Sequence, residues 1–407
     1  MGFAVMAPPS RPRWSFESRW RTPIPEPGTI RDPSIVLRAE RALTIVAVVV
    51  PSATGPGDPH GNNPGAADLV AWTSQDGGDS FGPGVRINPK GSVVAGTGET
   101  APALALGPKG LCVAYEERLP GGSGTRLVSS WSAMGTQWSE PTSLEEKGVP
   151  SSNGYVSLGA GADGTMAVAW LDGRRKDPRG PDLMLAISPD NGRTWTNAKA
   201  LAAGACPCCR PGVAVAPDGR IAVTYRNVEP GNIRDIFMTT SSDGGRTFSS
   251  PRLVARDGWR LDGCPHSGAP VAFHDGRWHV VWYSGGRGPR EAGLRHASAD
   301  ARTAGFGPPG LVGGSTLDPN HPMLLSAGGT LNATFQARPA RGDGWEPYAA
   351  HLTRLAGPVP SDKTPTECSA AGIGVHYPRS VQDATGRIWM VSSRQGHLAL
   401  RRGRRLD

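Results

Sequence analysis

A chain of 407 residues is long enough to bury a large core, and its formal charge is +8. It contains no apolar run near the roughly 18 residues of a membrane-spanning helix. Its only block of basic residues is the short stretch 401–405, which argues against a nucleic-acid-binding arm. The 56 glycines and 39 prolines alternate with short apolar runs, so the composition predicts many short strands and turns.

The N-terminal residues 1–27 precede the first repeated unit. They contain arginine and proline but no apolar segment of the signal-peptide type. We expect residues 14–22 to supply a strand that closes a ring of repeats. Residues 28–407 are then expected to form a single domain.

Short apolar strands recur along the rest of the chain, and most follow a glycine-containing turn. They are predicted at 44–50, 112–116, 166–170, 221–225, 279–283, 331–336 and 388–392. One such unit is too small to bury both faces of its sheet, so the units must stack around an axis. The pattern therefore predicts an all-β propeller of seven units, with six blades as the alternative.

An eight-residue motif runs through the same units. It has serine, aspartate and glycine at alternate positions, then serine or threonine and an aromatic residue, at 74–81, 188–195 and 241–248. Weaker copies lie at 132–138 and 298–306, and successive copies begin 58, 56, 53 and 57 residues apart. We interpret the motif as structural, with serine and aspartate accepting from backbone N–H groups and the aromatic ring packing between blades.

This motif is the Asp box, and the chain resembles the sialidase superfamily and related Asp-box (BNR-repeat) propellers over about residues 31–394. The resemblance implies a propeller with Asp boxes on one face and a ligand site on the other. The enzymes of the superfamily have six blades, whereas seven units are counted here.

The innermost strands are predicted to begin at 30–33, 99–102, 153–155, 206–211, 264–266, 320–322 and 376–379, all around the central channel. Of the 43 basic residues, 37 are arginine, and many are predicted to lie on this face. Arginine favours capture of carboxylates, although a GC-rich genome would also enrich it. An Arg-rich channel would attract an anionic ligand.

Two functions follow from this ring. Resemblance to sialidases implies a glycosidase that binds the substrate carboxylate with arginines, protonates with an aspartate, and attacks with a tyrosine activated by a glutamate. Arg31 and Asp58 match the family's first arginine and its acid, and Tyr225 is an alternative nucleophile. The candidate catalytic residues are Arg31, Asp58, Arg210, Arg226, Glu229, Tyr377 and Arg379.

The second function is a non-catalytic propeller that binds zinc or copper through thiolates and imidazoles at the channel mouth. The candidate metal ligands are Cys206, Cys208, Cys209, Cys264, His266, His321 and His376. The alternatives are a disulfide from Cys206 or Cys208 to Cys264 and free thiols. Strand alternation predicts that Cys208 and Cys209 point in opposite directions.

The remaining cysteines and the recurring tryptophans have simpler interpretations. Cys112 is predicted to lie in the core, Cys368 has no evident partner, and Trp170, Trp282 and Trp389 are predicted to pack in the core. The expected ligand is an acidic glycan or another small anion, bound by a monomer. Family and cysteines suggest a periplasmic or secreted location. The sequence as given shows no export signal, and a mis-assigned start codon is the alternative explanation.

Overall fold

The computed structural model describes residues 13–17, 20–24, 28–51, 67–95, 99–119, 124–145, 153–286, 292–303, 305–312, 317–339, 344–352 and 376–406. Every regular element within these ranges is a β-strand, arranged as the seven blades of a propeller. The predicted fold class is therefore confirmed, with seven blades rather than six. No helix that could cross a membrane is found in the described part of the chain.

Blades 1 to 4 follow one another along the chain. Blade 1 comprises β2 (Gly28–Ala39), β3 (Ala42–Pro51), β4 (Asp68–Ser74) and β5 (Val85–Arg86). Blade 2 comprises β6 (Val94–Ala95), β7 (Ala103–Gly107), β8 (Gly110–Arg118), β9 (Thr125–Ser132) and β10 (Thr142–Ser143). Blade 3 comprises β11 (Asn153–Ala160), β12 (Met166–Asp172), β13 (Asp182–Ser188) and β14 (Lys199–Ala202). Blade 4 comprises β15 (Gly212–Val215), β16 (Ile221–Arg226), β17 (Ile236–Ser241) and β18 (Arg252–Ala255).

Blades 5 to 7 complete the circle. Blade 5 comprises β19 (Val271–His274), β20 (Arg277–Ser284), β21 (Gly293–Asp300) and β22 (Gly310–Val312). Blade 6 comprises β23 (Leu317–Ala327), β24 (Thr330–Pro339) and β25 (Glu346–His351). Blade 7 comprises β26 (His376–Gln382), β27 (Ile388–Arg394), β28 (His397–Leu406) and, from the N-terminal segment, β1 (Arg13–Phe16).

The ring closes in two ways. The innermost strands contact one another in the circular order β2, β7, β11, β15, β19, β23, β26 and back to β2. At the rim, β1 pairs antiparallel with β28, from Arg13 opposite Leu406 to Phe16 opposite Gly403. The two ends of the described chain therefore share blade 7, which joins the N-terminal segment to the C-terminal strands.

The second strand of each blade is the most apolar and forms the core of its sheet. The side chains of Trp170, Trp282 and Trp389 on these strands are fully buried, as predicted. Cys112 on β8 is also fully buried, which confirms its prediction as a core residue. Cys368 lies outside the described residues.

The Asp boxes connect the third and fourth strands of blades 1, 3 and 4, on one face of the ring. In blade 1 the Ser74 hydroxyl accepts from the N–H of Gly78 at 2.9 Å, and Asp76 accepts from the N–H of Ser80 at 2.9 Å. The aromatic residue connects blades, since Trp195 Nε1 of blade 3 donates to Ser129 Oγ of blade 2 at 2.9 Å. These contacts confirm the structural interpretation of the motif.

Candidate functional site at the centre of the ring

A cavity of about 280 Å³ lies where the innermost strands converge, and every blade contributes to its wall. Its polar lining consists of Ser34, Glu99, Tyr155, Ser157, Cys208, Arg210, His266, His321, Tyr377 and Arg379. Titratable side chains from blades that are far apart in the sequence therefore meet in this cavity. This agrees with the prediction that the innermost strands begin around the central channel.

Five residues at equivalent places near the starts of the innermost strands adopt the left-handed backbone conformation. They are Asp32, Tyr155, His266, His321 and Tyr377, with φ between 48° and 58°. The strand pairing is irregular at this point in blades 1, 3, 6 and 7. Such a conformation costs about 1–3 kcal/mol for a residue with a side chain, and it is concentrated at functional sites. Four of the five side chains line the cavity.

Glu99 connects two residues across the cavity. Its Oε1 accepts a hydrogen bond from the Tyr377 hydroxyl at 3.2 Å, although the two residues are 278 positions apart. Its Oε2 contacts Nδ1 of His266. The N–H of Tyr377 donates to Gln336 Oε1 at 2.8 Å, and the ring of His321 packs edge-on against the phenol with centroids 4.6 Å apart.

The surroundings of Glu99 and Tyr377 shift the pKa values of both side chains. Burial raises the pKa of Glu99, and the bonds to His266 and Tyr377 act in the opposite direction. Burial and the adjacent Glu99 charge raise the pKa of Tyr377 well above its ordinary value. The phenol therefore keeps its proton at neutral pH, and Glu99 is the base positioned to accept it.

Three predicted arginines surround one buried carboxyl group. Burial raises the pKa of Asp32, while the charges of Arg31, Arg379 and Arg210 lower it. The guanidinium of Arg210 also donates hydrogen bonds to backbone carbonyl oxygens of blades 2 and 3, those of Val156, Glu99 and Ala101. Arg210 thus holds blades 2 and 3 together with blade 4 while it lines the cavity, and its role in binding a ligand stays a prediction.

Arg226 and Glu229 lie away from the cavity lining. Arg226 is buried and donates to the carbonyl oxygens of Arg234, Ser267 and Tyr283, so its cation satisfies backbone acceptors between blades 4 and 5. Glu229 instead lies 3.6 Å from Arg256. The described hydrogen bond of the Tyr377 hydroxyl goes to Glu99, and the role of Glu229 as partner of a tyrosine nucleophile stays a prediction.

Two other predicted residues are not part of the described site. Tyr225, the alternative nucleophile, packs in the core of blade 4 against Phe237. Asp58 lies outside the described residues. Glu99 and Tyr155, near the starts of the innermost strands of blades 2 and 3, line the cavity. Neither is among the candidate catalytic residues predicted from the sequence.

The cysteines form a compact group beside the cavity. Cys206, Cys208 and Cys209 are buried, and their Sγ atoms lie within 4.8 Å of one another. Cys208 also lies within 4.8 Å of ligand atoms of Cys264 and His266. These four cysteines are free thiols in the structure.

Strand alternation fails for Cys208 and Cys209 because residues 206–209 form a turn before β15. Hydrogen bonds from the thiols of Cys208 and Cys209 lower the pKa of Cys206, whereas burial raises the pKa of Cys209 to about 12. Of the other two predicted ligands, His321 belongs to neither group of ligand atoms among the described residues. His321 packs against Tyr377, and His376 is described only as a backbone position in β26.

Comparison with known proteins identifies the family and the fold. The BNR repeat-like domain matches residues 57–281, more than half of the chain. A protein of unknown function from Dyadobacter fermentans is 17% identical, with a TM-score of 0.51 and coverage of 97% of this chain and 98% of that one. The phage phi92 endosialidase is 10% identical, with a TM-score of 0.53 and coverage of 96% of this chain and 69% of that one. A search of curated protein sequences finds no match. This chain belongs to the BNR repeat-like family of β-propeller proteins.

Proposed function

We propose that the central cavity binds an acidic glycan and cleaves its glycosidic bond, with Tyr377 as the nucleophile and Glu99 as its base. The observation that carries the proposal is the hydrogen bond from the Tyr377 hydroxyl to Glu99 inside the cavity. A carboxylate nucleophile would repel an anionic sugar, and tyrosine is the known exception to the usual pair of carboxylates in glycosidases.

Two arginines support an anionic substrate. The buried Nε groups of Arg31 and Arg379 have no hydrogen-bond partner among the described residues, and Arg379 lines the cavity. Both cations are therefore suited to bind a carboxylate. The imidazoles of His266 and His321 add polar groups with which sugar hydroxyls could exchange hydrogen bonds.

The proposed reaction has two steps. First, Tyr377 gives its proton to Glu99 while its oxygen bonds to the anomeric carbon, and the bond from that carbon to the leaving oxygen breaks. Asp58, which matches the acid of the sialidase superfamily, supplies the proton that the leaving oxygen requires. Water then attacks the anomeric carbon and gives a proton to Asp58, and the tyrosine oxygen leaves and recovers its proton from Glu99.

Turnover of aryl glycosides tests the proposal. The panel contains glycosides of sialic, glucuronic and galacturonic acids together with a neutral galactoside. We expect hydrolysis of an acidic member, and a loss of about 100-fold or more in kcat for both Tyr377→Phe and Glu99→Gln. Tyr225→Phe removes a hydroxyl from the core of blade 4 and should retain activity.

Two results would contradict the proposal. If Tyr377→Phe keeps the wild-type kcat, another group performs the attack. If the wild-type protein binds an acidic glycoside but turns over no member of the panel, the cavity is a binding site without hydrolysis.

A further inference from the structure

The three buried thiols of Cys206, Cys208 and Cys209 form a group distinct from an ordinary apolar core. The Sγ atom of Cys206 lies 3.1 Å from that of Cys209 and 3.7 Å from that of Cys208. The three side chains are between 0 and 4% exposed. Cys112 provides a contrast, since it is equally buried but belongs to no such group of ligand atoms among the described residues.

These sulfur positions fit one metal ion. A thiolate sulfur lies about 2.3 Å from a bound zinc ion, so two sulfurs on one such ion are separated by at most about 4.6 Å. The two measured separations fall within that limit. The turn before β15 therefore brings Cys206 Sγ within this limit of both other sulfurs, and the Sγ atoms of Cys208 and Cys209 lie within 4.8 Å of each other.

The chemistry of the group favours a soft monovalent ion. Soft thiolate ligands select Cu(I), zinc or iron–sulfur clusters, whereas structural zinc is almost always held by four ligands. The group supplies three thiols, with no imidazole or carboxylate among its members. Three thiolates and one Cu(I) carry a net charge of −2, and the buried cation of Arg234 donates to Cys206 Sγ at 3.4 Å.

A second group provides a route from solvent. Cys264 and His266 are exposed, and both have a ligand atom within 4.8 Å of Cys208. Cys208 is thus common to the buried group and to an exposed one at the cavity wall. An ion bound first by Cys264 and His266 can pass to Cys208 by exchange of one ligand at a time.

We propose that Cys206, Cys208 and Cys209 bind one Cu(I) ion, which reaches them through Cys264 and His266. The three thiol ligands lie between β14 and β15 and take no part in the proposed reaction, whereas His266 on the entry route also contacts Glu99. Its failure and that of the glycosidase proposal are therefore separate results.

Competition for Cu(I) tests the site in the full-length protein, reduced and kept free of oxygen, against the chelator bicinchoninate. We expect one Cu(I) per chain in the wild type and in Cys112→Ser. Cys206→Ser and Cys209→Ser should bind at least about 100-fold more weakly, because each removes a direct ligand. Cys264→Ser should retain one Cu(I) but load it more slowly.

X-ray absorption on the copper-loaded wild type gives a second test that does not depend on the folding of a variant. It should detect three sulfur neighbours at about 2.3 Å. Retention of full Cu(I) affinity by Cys206→Ser would overturn the assignment of the ligands. Detection of a nitrogen atom bound to copper, together with loss of Cu(I) from Cys264→Ser, would also overturn it. Failure of the reduced wild type to hold Cu(I) against the chelator would overturn the proposal altogether.

Discussion

Glu116 is a buried carboxyl group whose ionisation should oppose folding. It lies two residues before the end of the core strand β8 of blade 2, and its Oε1 has no hydrogen-bond partner among the described residues. Burial raises the pKa of Glu116 to about 8, while the charge of Arg210 lowers it and that of Glu145 raises it. The side chain is therefore protonated in the folded protein at pH 7 and ionised in the unfolded chain.

The sign and size of the effect follow from proton linkage. Because the pKa of Glu116 is higher in the folded state, folding takes up a proton, and stability falls as pH rises from 4.5 towards 8. The loss is about 1.4 kcal/mol for each pH unit within this window. Glutamine has a similar shape and no charge, so Glu116→Gln should lack this loss. Relative to the wild type, the free energy of unfolding of Glu116→Gln should therefore rise by about 3 kcal/mol between pH 5 and pH 7.

Urea denaturation of both proteins at pH 5, 6 and 7 measures this difference. Glu140→Gln, which changes an exposed carboxyl group, is the control and should show no such trend. A difference between Glu116→Gln and the wild type that stays constant with pH would refute the reasoning. An increase in the stability of the wild type relative to Glu116→Gln with rising pH would also refute it, because Glu116 would then be ionised in the folded protein.

Two further predictions concern the site and the Asp boxes. The acid limb of kcat/KM should lie above 4.5, because Glu99 must be deprotonated to act as a base and burial raises its pKa. His266→Ala should move that limb to higher pH, since the His266 contact lowers the pKa of Glu99; a pH–rate profile in which the limb stays below 4.5 would contradict this. Gly192→Ala should destabilise the protein by about 2–4 kcal/mol in urea denaturation, because a Cβ would lie 2.5 Å from Cys112 Sγ at a φ of +84°. Gly219→Ala, at a φ of +80° with open space around it, should cost about 1 kcal/mol, and equal losses for the two variants would show that crowding against Cys112 is unimportant.

The fold could be predicted because the signal is local and repeated. Each Asp box requires its serine, aspartate and glycine within eight residues, since the side chains bond to the backbone of the same turn. Seven apolar strands occur at regular intervals, and a ring is the arrangement in which both faces of every blade are buried. Neither inference needs contacts between distant parts of the chain.

The partner of the proposed nucleophile could not be predicted in the same way. Tyr377 and Glu99 belong to blades 7 and 2, and they meet only because the ring brings the inner-strand starts to one centre. Glu229 was chosen by its position in a loop, whereas its carboxylate lies beside Arg256. The left-handed backbone at Asp32, Tyr155, His266, His321 and Tyr377 also could not be predicted from the sequence, because no single residue type marks all five positions.

The cysteine group shows how an assumed local conformation misleads. Alternation along a strand would separate Cys208 from Cys209, but residues 206–209 form a turn. In that turn the three thiols come within 4.8 Å of one another. The types of ligand were evident in the sequence, and their arrangement depended on backbone geometry.

The central claim is that Tyr377 attacks the anomeric carbon of an acidic glycoside. Its most direct test is mass spectrometry of the protein after incubation with a fluorinated glycoside of sialic acid or a uronic acid, which slows release of the glycosyl group. The account predicts one added glycosyl group per chain, located on the peptide that contains Tyr377 and absent in Tyr377→Phe. A modification on another residue, or hydrolysis of the parent glycoside without any trapped species at Tyr377, would contradict it.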